Sequence, residues 1–300
     1  MFAFTKLMLT ISSVVATTKA IFGFGYTGSA YTAITNLVSD TGVVASDTAG
    51  VGTSRQALAA ASYGTDKAIF GFGEGGANSA LTNLVSNTGV VATDTAGVGT
   101  ARQSPAAAGY GTDKAIFAFG YVSAASSISN LVSNTGVVAT DTSTVASASY
   151  VHSAASYGTD KAIFGYGLSG VSNLVSNTGV VASDVARVGT GTLARAGTGY
   201  GTDKAIFGYG STNGTPGGAL SITNLVSNTG VVAADTTGVG TARLSLAASR
   251  YGTDKAIFGY GQTTVNQSIT NLVSNTGVVA SDTTGVGTAR SGLAAASFTS

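Results

Sequence analysis

The chain has 300 residues with 14 basic and 13 acidic side chains, one histidine, 43 glycines and no cysteine, and 44% of it is hydrophobic. This is not the composition of a disordered chain, and a net charge of +1 argues against nucleic acid as a partner, because nucleic acid needs clustered basic side chains. The lack of cysteine excludes disulfides, thiolate metal sites and thiol catalysis, and no apolar run approaches the roughly 18 residues of a membrane-spanning helix, so we expect no membrane insertion.

The first 16 residues differ from the rest and leave three interpretations open. One lysine precedes an apolar run from Leu7 to Ala16, which is typical of a secretory signal cleaved near Ala16. Alternatively, residues 5–15 form a degenerate strand, or the segment anchors the chain to a neighbouring subunit. We therefore treat residues 1–16 as an N-terminal extension or strand and residues 17–300 as a single domain.

From residue 17 onward the chain is one unit copied six times. Lys-Ala-Ile-Phe recurs at intervals of 48, 47, 47, 43 and 51 residues. Its copies start at Lys19, Lys67, Lys114, Lys161, Lys204 and Lys255. In every unit it is followed by a second block, Asn-Leu-Val-Ser-(Asn/Asp)-Thr-Gly-Val-Val-Ala. A chain of this length would ordinarily be expected to form about two domains. Because the repeats are continuous and no change in composition marks a boundary, we expect a single domain instead.

Local signals within one unit favour strands. In residues 241–287, a run of small and apolar residues over 244–249 precedes the turn Tyr-Gly-Thr-Asp, and a second strand is predicted over 255–261. A third is predicted over 269–273, the hairpin Ser-Asn-Thr-Gly follows it, and a fourth strand begins at Val278. Four strands in a unit of about 47 residues predict an all-β, six-bladed β-propeller with four antiparallel strands per blade. A β-helix or open solenoid is the alternative, although open solenoids favour shorter coils and atypical capping repeats.

A strand that ends in glycines, followed by an arginine before a small-residue strand, resembles the kelch repeat. The kelch double glycine stands here as Gly-aromatic-Gly, for example Gly71-Phe72-Gly73, and the third unit departs with Ala118-Phe119-Gly120. The kelch arginine maps to Arg55, Arg102, Arg243 and Arg290. Ser149 and Thr192 replace it in two units, and the kelch tryptophan is absent. The composition of these repeats, which are rich in glycine, alanine, serine and threonine, also resembles that of kelch-like repeats of bacteriophage tail-fibre and virion-surface proteins.

Either chain end is able to supply the innermost strand that completes the ring. The C-terminal copy, over 291–297, would complete the unit that begins at Lys19 and join the two ends. The alternative is that the N-terminal segment forms that strand and displaces the C-terminal copy. The sequence leaves both open.

Most aspartates occupy repeat positions, either in the turn before Lys-Ala-Ile-Phe or late in the fourth strand. The two series are Asp66, Asp113, Asp160, Asp203 and Asp254, and Asp47, Asp94, Asp141, Asp184, Asp235 and Asp282. Calcium rings are one interpretation, but calcium needs several oxygen ligands converging on one ion. We expect turn capping and pairing with lysine or arginine instead.

Catalytic groups are sparse. The chain has one glutamate, Glu74, and one histidine, His152, which we expect to be packed or solvated. Glycoside hydrolysis by two carboxylates and metal-assisted hydrolysis therefore lack their residues. We expect no enzymatic activity, no cofactor and no metal.

The informative signal is an asymmetry between loops. Turns after the first and third strands are short and nearly identical among units, whereas loops after the second strand differ in every unit. Variation on a rigid scaffold is typical of recognition loops, with drift as the alternative. The candidate binding residues there are Tyr26, Tyr31, Glu74, Asn78, Tyr121, Asn213, Gln262 and Asn266. The four repeat arginines, Arg55, Arg102, Arg243 and Arg290, are expected to open toward the same face and hold an anionic group, or to be structural.

These features and the resemblance imply a non-enzymatic structural and binding module. The leading hypothesis is a phage fibre or virion-surface protein that contacts host cell-surface glycans or proteins, or neighbouring virion proteins, with homo-oligomerisation left open. A secreted, extracellular bacterial adhesin with a lectin-like propeller is the alternative, and a glycan-processing enzyme is the remote one.

Overall fold

The computed structural model describes residues 16–300, so the interpretations of residues 1–15 lie outside the described part of the chain. The strands in chain order are β1 (Thr18–Tyr26), β2 (Tyr31–Val38), β3 (Ala59–Tyr63), β4 (Lys67–Gly71), β5 (Thr82–Val85), β6 (Ala106–Tyr110), β7 (Lys114–Ala118), β8 (Ile128–Val132), β9 (Thr142–Ser143), β10 (Ser153–Tyr157), β11 (Lys161–Tyr166), β12 (Val171–Val175), β13 (Val185–Ala186), β14 (Ala196–Tyr200), β15 (Lys204–Gly208), β16 (Thr223–Val226), β17 (Ala247–Tyr251), β18 (Lys255–Gly259), β19 (Thr270–Val273) and β20 (Ala294–Thr299). A 3-10 turn, Pro216–Gly218, precedes β16, and none of the described helical segments is long and apolar enough to cross a bilayer.

The strands form six small antiparallel sheets, so the chain is all-β as predicted. Sheet 1 has the order β2-β1-β20, sheet 2 is β3-β4-β5, and sheet 3 is β6-β7-β8-β9. Sheet 4 is β10-β11-β12-β13, sheet 5 is β14-β15-β16, and sheet 6 is β17-β18-β19. In each sheet the Lys-Ala-Ile-Phe strand lies in the middle, because its alanine, isoleucine and phenylalanine are buried on both sides.

The expectation of four strands in every sheet is wrong for sheets 1, 2, 5 and 6, which have three continuous strands. At the fourth position these sheets have single bridges, such as Val85↔Val91 and Thr82↔Thr95. Between the two bridges, the side chain of Asn83 donates a hydrogen bond to the backbone carbonyl of Ala92 at 3.1 Å. The outer edge is therefore held partly by a side chain instead of a regular ladder.

The C-terminal copy completes the first sheet. Strand β20 pairs with β1 from Thr18↔Thr299 to Gly23↔Ala294. Thr17 and Ser300 exchange backbone hydrogen bonds at 2.9 and 3.1 Å, so the end of the chain lies beside residue 17. Of the two arrangements that the sequence leaves open, the structure has the one in which the C-terminal strand pairs with the first unit.

One strand of each sheet lines a common cavity; these six, β20, β3, β6, β10, β14 and β17, are called the cavity strands. Each contacts the cavity strands of two other sheets, in the order β20, β3, β6, β10, β14, β17 and back to β20. On four of these strands, β3, β6, β17 and β20, residues alternate between buried and half-buried, as in the Ala59–Tyr63 pattern. Small side chains allow six strands to approach each other around one cavity.

The same aromatic contact recurs at all six junctions between sheets. In sheet 2 the ring of Phe72 lies edge-on to Phe117 of sheet 3 at 5.1 Å. The pair Tyr260 and Phe22 makes this contact between sheets 6 and 1 at 5.2 Å. Five of the six units have glycine beside this contact, where a Cβ on Gly71 would lie 2.7 Å from the Phe117 ring, and Ala118 takes that position in sheet 3. The core therefore consists of repeated interfaces between sheets instead of one central cluster.

Candidate functional site

Antiparallel pairing places the repeated turns and the variable loops at opposite ends of each sheet. We call the end with the Tyr-Gly-Thr-Asp turns and Ser-Asn-Thr-Gly hairpins the turn rim, and the end with the variable loops the loop rim. At the turn rim Gly64 of sheet 2 lies against the carbonyl of Asn134 in the hairpin of sheet 3. At the loop rim Asn78 of sheet 2 donates to the carbonyls of Tyr121 and Val122 of sheet 3 at 3.2 and 2.9 Å. Both rims thus connect neighbouring sheets.

Each variable loop begins at one equivalent position, directly after the Gly-aromatic-Gly segment. The six residues at this position are Tyr26, Glu74, Tyr121, Leu168, Ser211 and Gln262. Four of them, Glu74, Tyr121, Ser211 and Gln262, bridge both the preceding segment of their sheet and the far side of their own loop. In these four sheets the backbone position is fixed, and across the six sheets five residue types occur there, since Tyr26 and Tyr121 are both tyrosine.

Tyrosine pairs dominate two of the loops. Tyr26 and Tyr31 are cross-strand partners at the end of β1 and β2, and their ring centroids lie 5.6 Å apart. Tyr121 lies edge-on to Tyr150 at 5.2 Å. All four side chains are half-buried, so each pair has an exposed part. Tyr150 was not predicted from the sequence as a site residue, because it lies in the segment that precedes β10 and not in a loop between the second and third strands.

The polar candidates hold the loops in place. Asn266 donates to the carbonyl of Tyr26 at 2.8 Å, which repeats the contact that Asn78 makes with Tyr121. The carboxylate of Glu74 accepts a hydrogen bond from Gln56 at 2.7 Å. The side chain of Asn213 accepts bonds from Ser211 and Thr215 within its own exposed loop. Gln262 is half-buried at the equivalent position of sheet 6.

The four repeat arginines do not open toward the loop rim, so their expected contact with a ligand is corrected here. Each is 0% exposed. In sheet 3, Arg102 donates from Nε to the carbonyl of Phe119 at 2.7 Å and from Nη2 to Oδ1 of Asn130 at 2.7 Å. Its guanidinium lies 3.9 Å from the ring centroid of Phe72 in sheet 2. Arg55, Arg243 and Arg290 make the same set of contacts, so these arginines join neighbouring sheets.

Burial changes the electrostatics of this network. Burial lowers the pKa of Arg55 and of Arg102 to about 10, against the opposing effect of Asp94 and Asp141. Partial burial raises the pKa of the Asp94 carboxyl, but hydrogen bonds from Thr53 and Asn83 outweigh it, so this pKa lies below its ordinary value. Arginine and aspartate both stay charged at neutral pH, and the network is structural.

Two sheets lack the repeat arginine and replace it from a position three residues later. In sheet 5, Thr192 stands at the arginine position, and Arg195 lies 4.0 Å from the ring centroid of Tyr166 and donates to Oδ1 of Asn224 at 2.7 Å. In sheet 4, Ser149 stands there, and His152 stacks on Phe119 with centroids 4.4 Å apart. The cationic or aromatic contact is therefore present at all six junctions.

The replacements leave polar atoms unsatisfied. Nδ1 of His152 and Oδ1 of Asn173 are buried without a hydrogen-bond partner among the described residues, as are Nε and Nη1 of Arg195. Burial lowers the pKa of His152 to about 4. His152 is thus a packed, neutral side chain at physiological pH and not a base exposed in a cleft.

The repeat aspartates have protein partners. Asp94 accepts bonds from the backbone and hydroxyl of Thr53, at 2.9 and 2.6 Å, and the other five late-strand aspartates repeat this contact. Each turn aspartate pairs with the following lysine, as Asp66 does with Lys67 at 2.6 Å. Within residues 16–300 no three acidic or histidine side chains converge as metal ligands would.

The chain matches no protein-family model, and no curated protein sequence is significantly similar to it.

Proposed function

We propose that the six sheets form a closed, six-bladed β-propeller of the kelch-like type. Three features support this: the cavity strands contact each other in a series that returns to its start, every junction has the same aromatic pair, and the C-terminal strand pairs with the first unit. Because each sheet buries its faces only against its neighbours, stability depends on the completed series.

We propose further that the protein is a non-enzymatic binding module that acts through the loop rim. The observation that carries this proposal is the position after each Gly-aromatic-Gly segment, where the six units carry five different residue types on a backbone that is bridged in the same way in most sheets. The surrounding structure uses its charged residues for architecture, since the repeat arginines and aspartates hydrogen-bond within their own sheet and the arginines also pack on an aromatic ring of the neighbouring sheet. Variation confined to one rim of such a scaffold favours recognition.

The partner that best fits this rim is a glycan. The pairs Tyr26–Tyr31 and Tyr121–Tyr150 combine an apolar ring face with a hydroxyl group, a combination that suits the alternating apolar and polar faces of sugars. The resemblance to phage tail-fibre repeats favours a host cell-surface glycan and a place on a virion surface. A secreted adhesin would use the same rim and is the alternative.

A glycan array with the purified full chain tests this function. We expect binding to a restricted set of glycans, reduced at least about tenfold by Tyr26→Ala/Tyr31→Ala or by Tyr121→Ala/Tyr150→Ala, since each anchor residue contributes on the order of 1–2 kcal/mol. Val43→Ala is the matched control, because Val43 is exposed in the hairpin of the turn rim. Binding that is unchanged in both tyrosine variants, or lost in the control, would contradict the proposal.

A further inference from the structure

The cavity between the cavity strands contains one side chain that breaks its repeat. The cavity has a volume of about 210 Å³. In each cavity strand, the residue before the strand's last aromatic residue lines it. These residues are Ser62, Gly109, Ser156, Gly199, Arg250 and Ser297. Arg250 therefore introduces a charge where the other five sheets have serine or glycine.

The guanidinium of Arg250 has almost no protein partner. Its one hydrogen bond runs from Nη2 to the carbonyl of Thr253 at 3.5 Å, which is long for such a bond. Among residues 16–300 no carboxylate lies within 4.0 Å of it. Asp254 and Asp203 attract Arg250 from beyond 4.0 Å, while they bond directly to Lys255 and Lys204 at 3.1 and 3.0 Å. A half-buried cation without a counter-ion in contact is costly to retain.

The neighbouring strand leaves room for this side chain. A Cβ on Gly199 would lie 3.1 Å from Cδ and 3.4 Å from Nη1 of Arg250. A larger residue at position 199 would therefore displace the arginine. Glycine on β14 and arginine on β17 form a complementary pair that places the guanidinium in the cavity.

The remaining serines at this level are already satisfied. The hydroxyl groups of Ser62 and Ser297 lie 2.9 Å apart, and Ser62 also donates to the carbonyl of Ser297. Ser156 donates to the carbonyl of Gly109 at 2.8 Å. The free donors at this level of the cavity are thus those of Arg250.

We propose that the cavity binds a small oxyanion, a carboxylate or a phosphate group, through the guanidinium of Arg250. The planar fork of an arginine donates two parallel hydrogen bonds to such a group, which a lysine or serine does not reproduce. A cavity of this volume admits a small anion or the acidic end of a larger molecule. This site is separate from the loop rim and does not depend on glycan binding there.

Titration calorimetry of the full chain with sodium acetate and, separately, with inorganic phosphate tests the site. We expect saturable binding with a Kd on the order of 1 mM, weakened by added salt, for at least one probe. The two probes distinguish a carboxylate site from a phosphate site by their relative affinity. Arg250→Ser is expected to weaken binding at least about tenfold. This variant should fold, since serine stands at the equivalent position in Ser62, Ser156 and Ser297.

The matched control is Arg187→Ser, which removes the same charge from an exposed arginine outside the cavity. It should bind the anion as the unmodified chain does. Arg250→Gln, which keeps most of the side-chain length, gives the same test if the serine variant is unstable. Absence of saturable binding for both probes, or equal loss in Arg187→Ser and Arg250→Ser, would overturn the proposal.

Discussion

Nη2 of Arg290 donates a hydrogen bond to Oδ1 of Asn36 at 2.7 Å, although the two residues are 254 positions apart in the chain. Arg102 and Asn130, 28 positions apart, make the same bond at the same distance. Sheet 1, which combines the first unit with the C-terminal strand, is therefore held by the same contacts as sheet 3, which one continuous segment forms. Thr288 and Asp47 repeat this equivalence, with a hydroxyl-to-carboxylate bond of 2.6 Å.

The equivalence predicts that Arg290→Met and Arg102→Met destabilise the protein equally. Each substitution leaves a buried asparagine oxygen and a backbone carbonyl without their donor, so we expect a loss of about 3 kcal/mol in the free energy of unfolding. Chemical denaturation of both variants measures it. If the N-terminal segment replaced the C-terminal copy in solution, Arg290→Met would be nearly neutral while Arg102→Met would not.

His152 predicts a specific pH dependence of stability. Its pKa is lowered from 6.5 to about 4 by burial, so the unfolded chain binds a proton between these values and the folded chain does not. Stability should therefore fall as the pH decreases from 6.5 to 4, by about 3 kcal/mol from this group.

The measurement is the free energy of unfolding at several pH values for the unmodified chain and for His152→Leu. Leucine is the matched substitution, because Leu58, Leu246 and Leu293 stand at the equivalent position. We take the difference between the two free energies of unfolding and subtract its value at low pH. The result should be near zero below pH 4 and reach its full size above pH 6.5. A difference that is independent of pH would show that His152 is exposed in solution.

The unsatisfied oxygen of Asn173 predicts a stabilising double substitution. Ser149→Arg combined with His152→Leu restores the arginine contact of the other sheets and supplies the missing donor. We expect a gain of about 2 kcal/mol relative to His152→Leu alone, since a buried charged hydrogen bond replaces an unpaired acceptor. Thermal unfolding of the single and double variants measures it.

Ser149→Arg alone is the informative comparison. His152 already occupies the face of Phe119 that the new guanidinium needs. Ser149→Arg should therefore stabilise the protein less when His152 is present than when His152→Leu has removed it, so the two substitutions are not additive. Equal effects of Ser149→Arg with and without His152→Leu would contradict the assignment of both positions to one contact.

Much of this architecture could be predicted from the sequence, because the same pattern of strands and turns recurs in six units. The unit boundaries, the middle strand and the hairpin at Ser274 agree with the structure, which places β18 and β19 within the predicted runs to one or two residues. Strand β17 begins three residues later and ends two residues later than predicted. The hydrophobic pattern did not reveal the broken fourth strand, in which single bridges flank a bond from the side chain of Asn83 to the carbonyl of Ala92.

The exchange of Arg195 and His152 for the repeat arginine was also missed, and the reason is conformational. The residue directly before the replacing side chain has a positive φ, which is 53° for both Val151 and Ala194. This left-handed residue turns the chain so that a side chain three residues later reaches the same aromatic ring. A pattern of residue types carries no signal of that turn. The arginines themselves were placed at the wrong surface, because their burial depends on contacts between sheets that the repeat does not specify.

The cavity strands of the first and second sheets, β20 and β3, offer the most direct measurement of ring closure, because β20 comes from the C-terminal end of the chain. Oγ of Ser62 and Oγ of Ser297 lie 2.9 Å apart across that junction, and the chain has no cysteine of its own. After mild oxidation, Ser62→Cys/Ser297→Cys is expected to form an intramolecular disulfide and to migrate faster than its reduced form on a non-reducing gel, whereas Ser62→Cys/Ser156→Cys, whose serines lie on strands that are not neighbours, is not. Free thiols or disulfide-linked dimers in the first variant would contradict a closed series of six sheets.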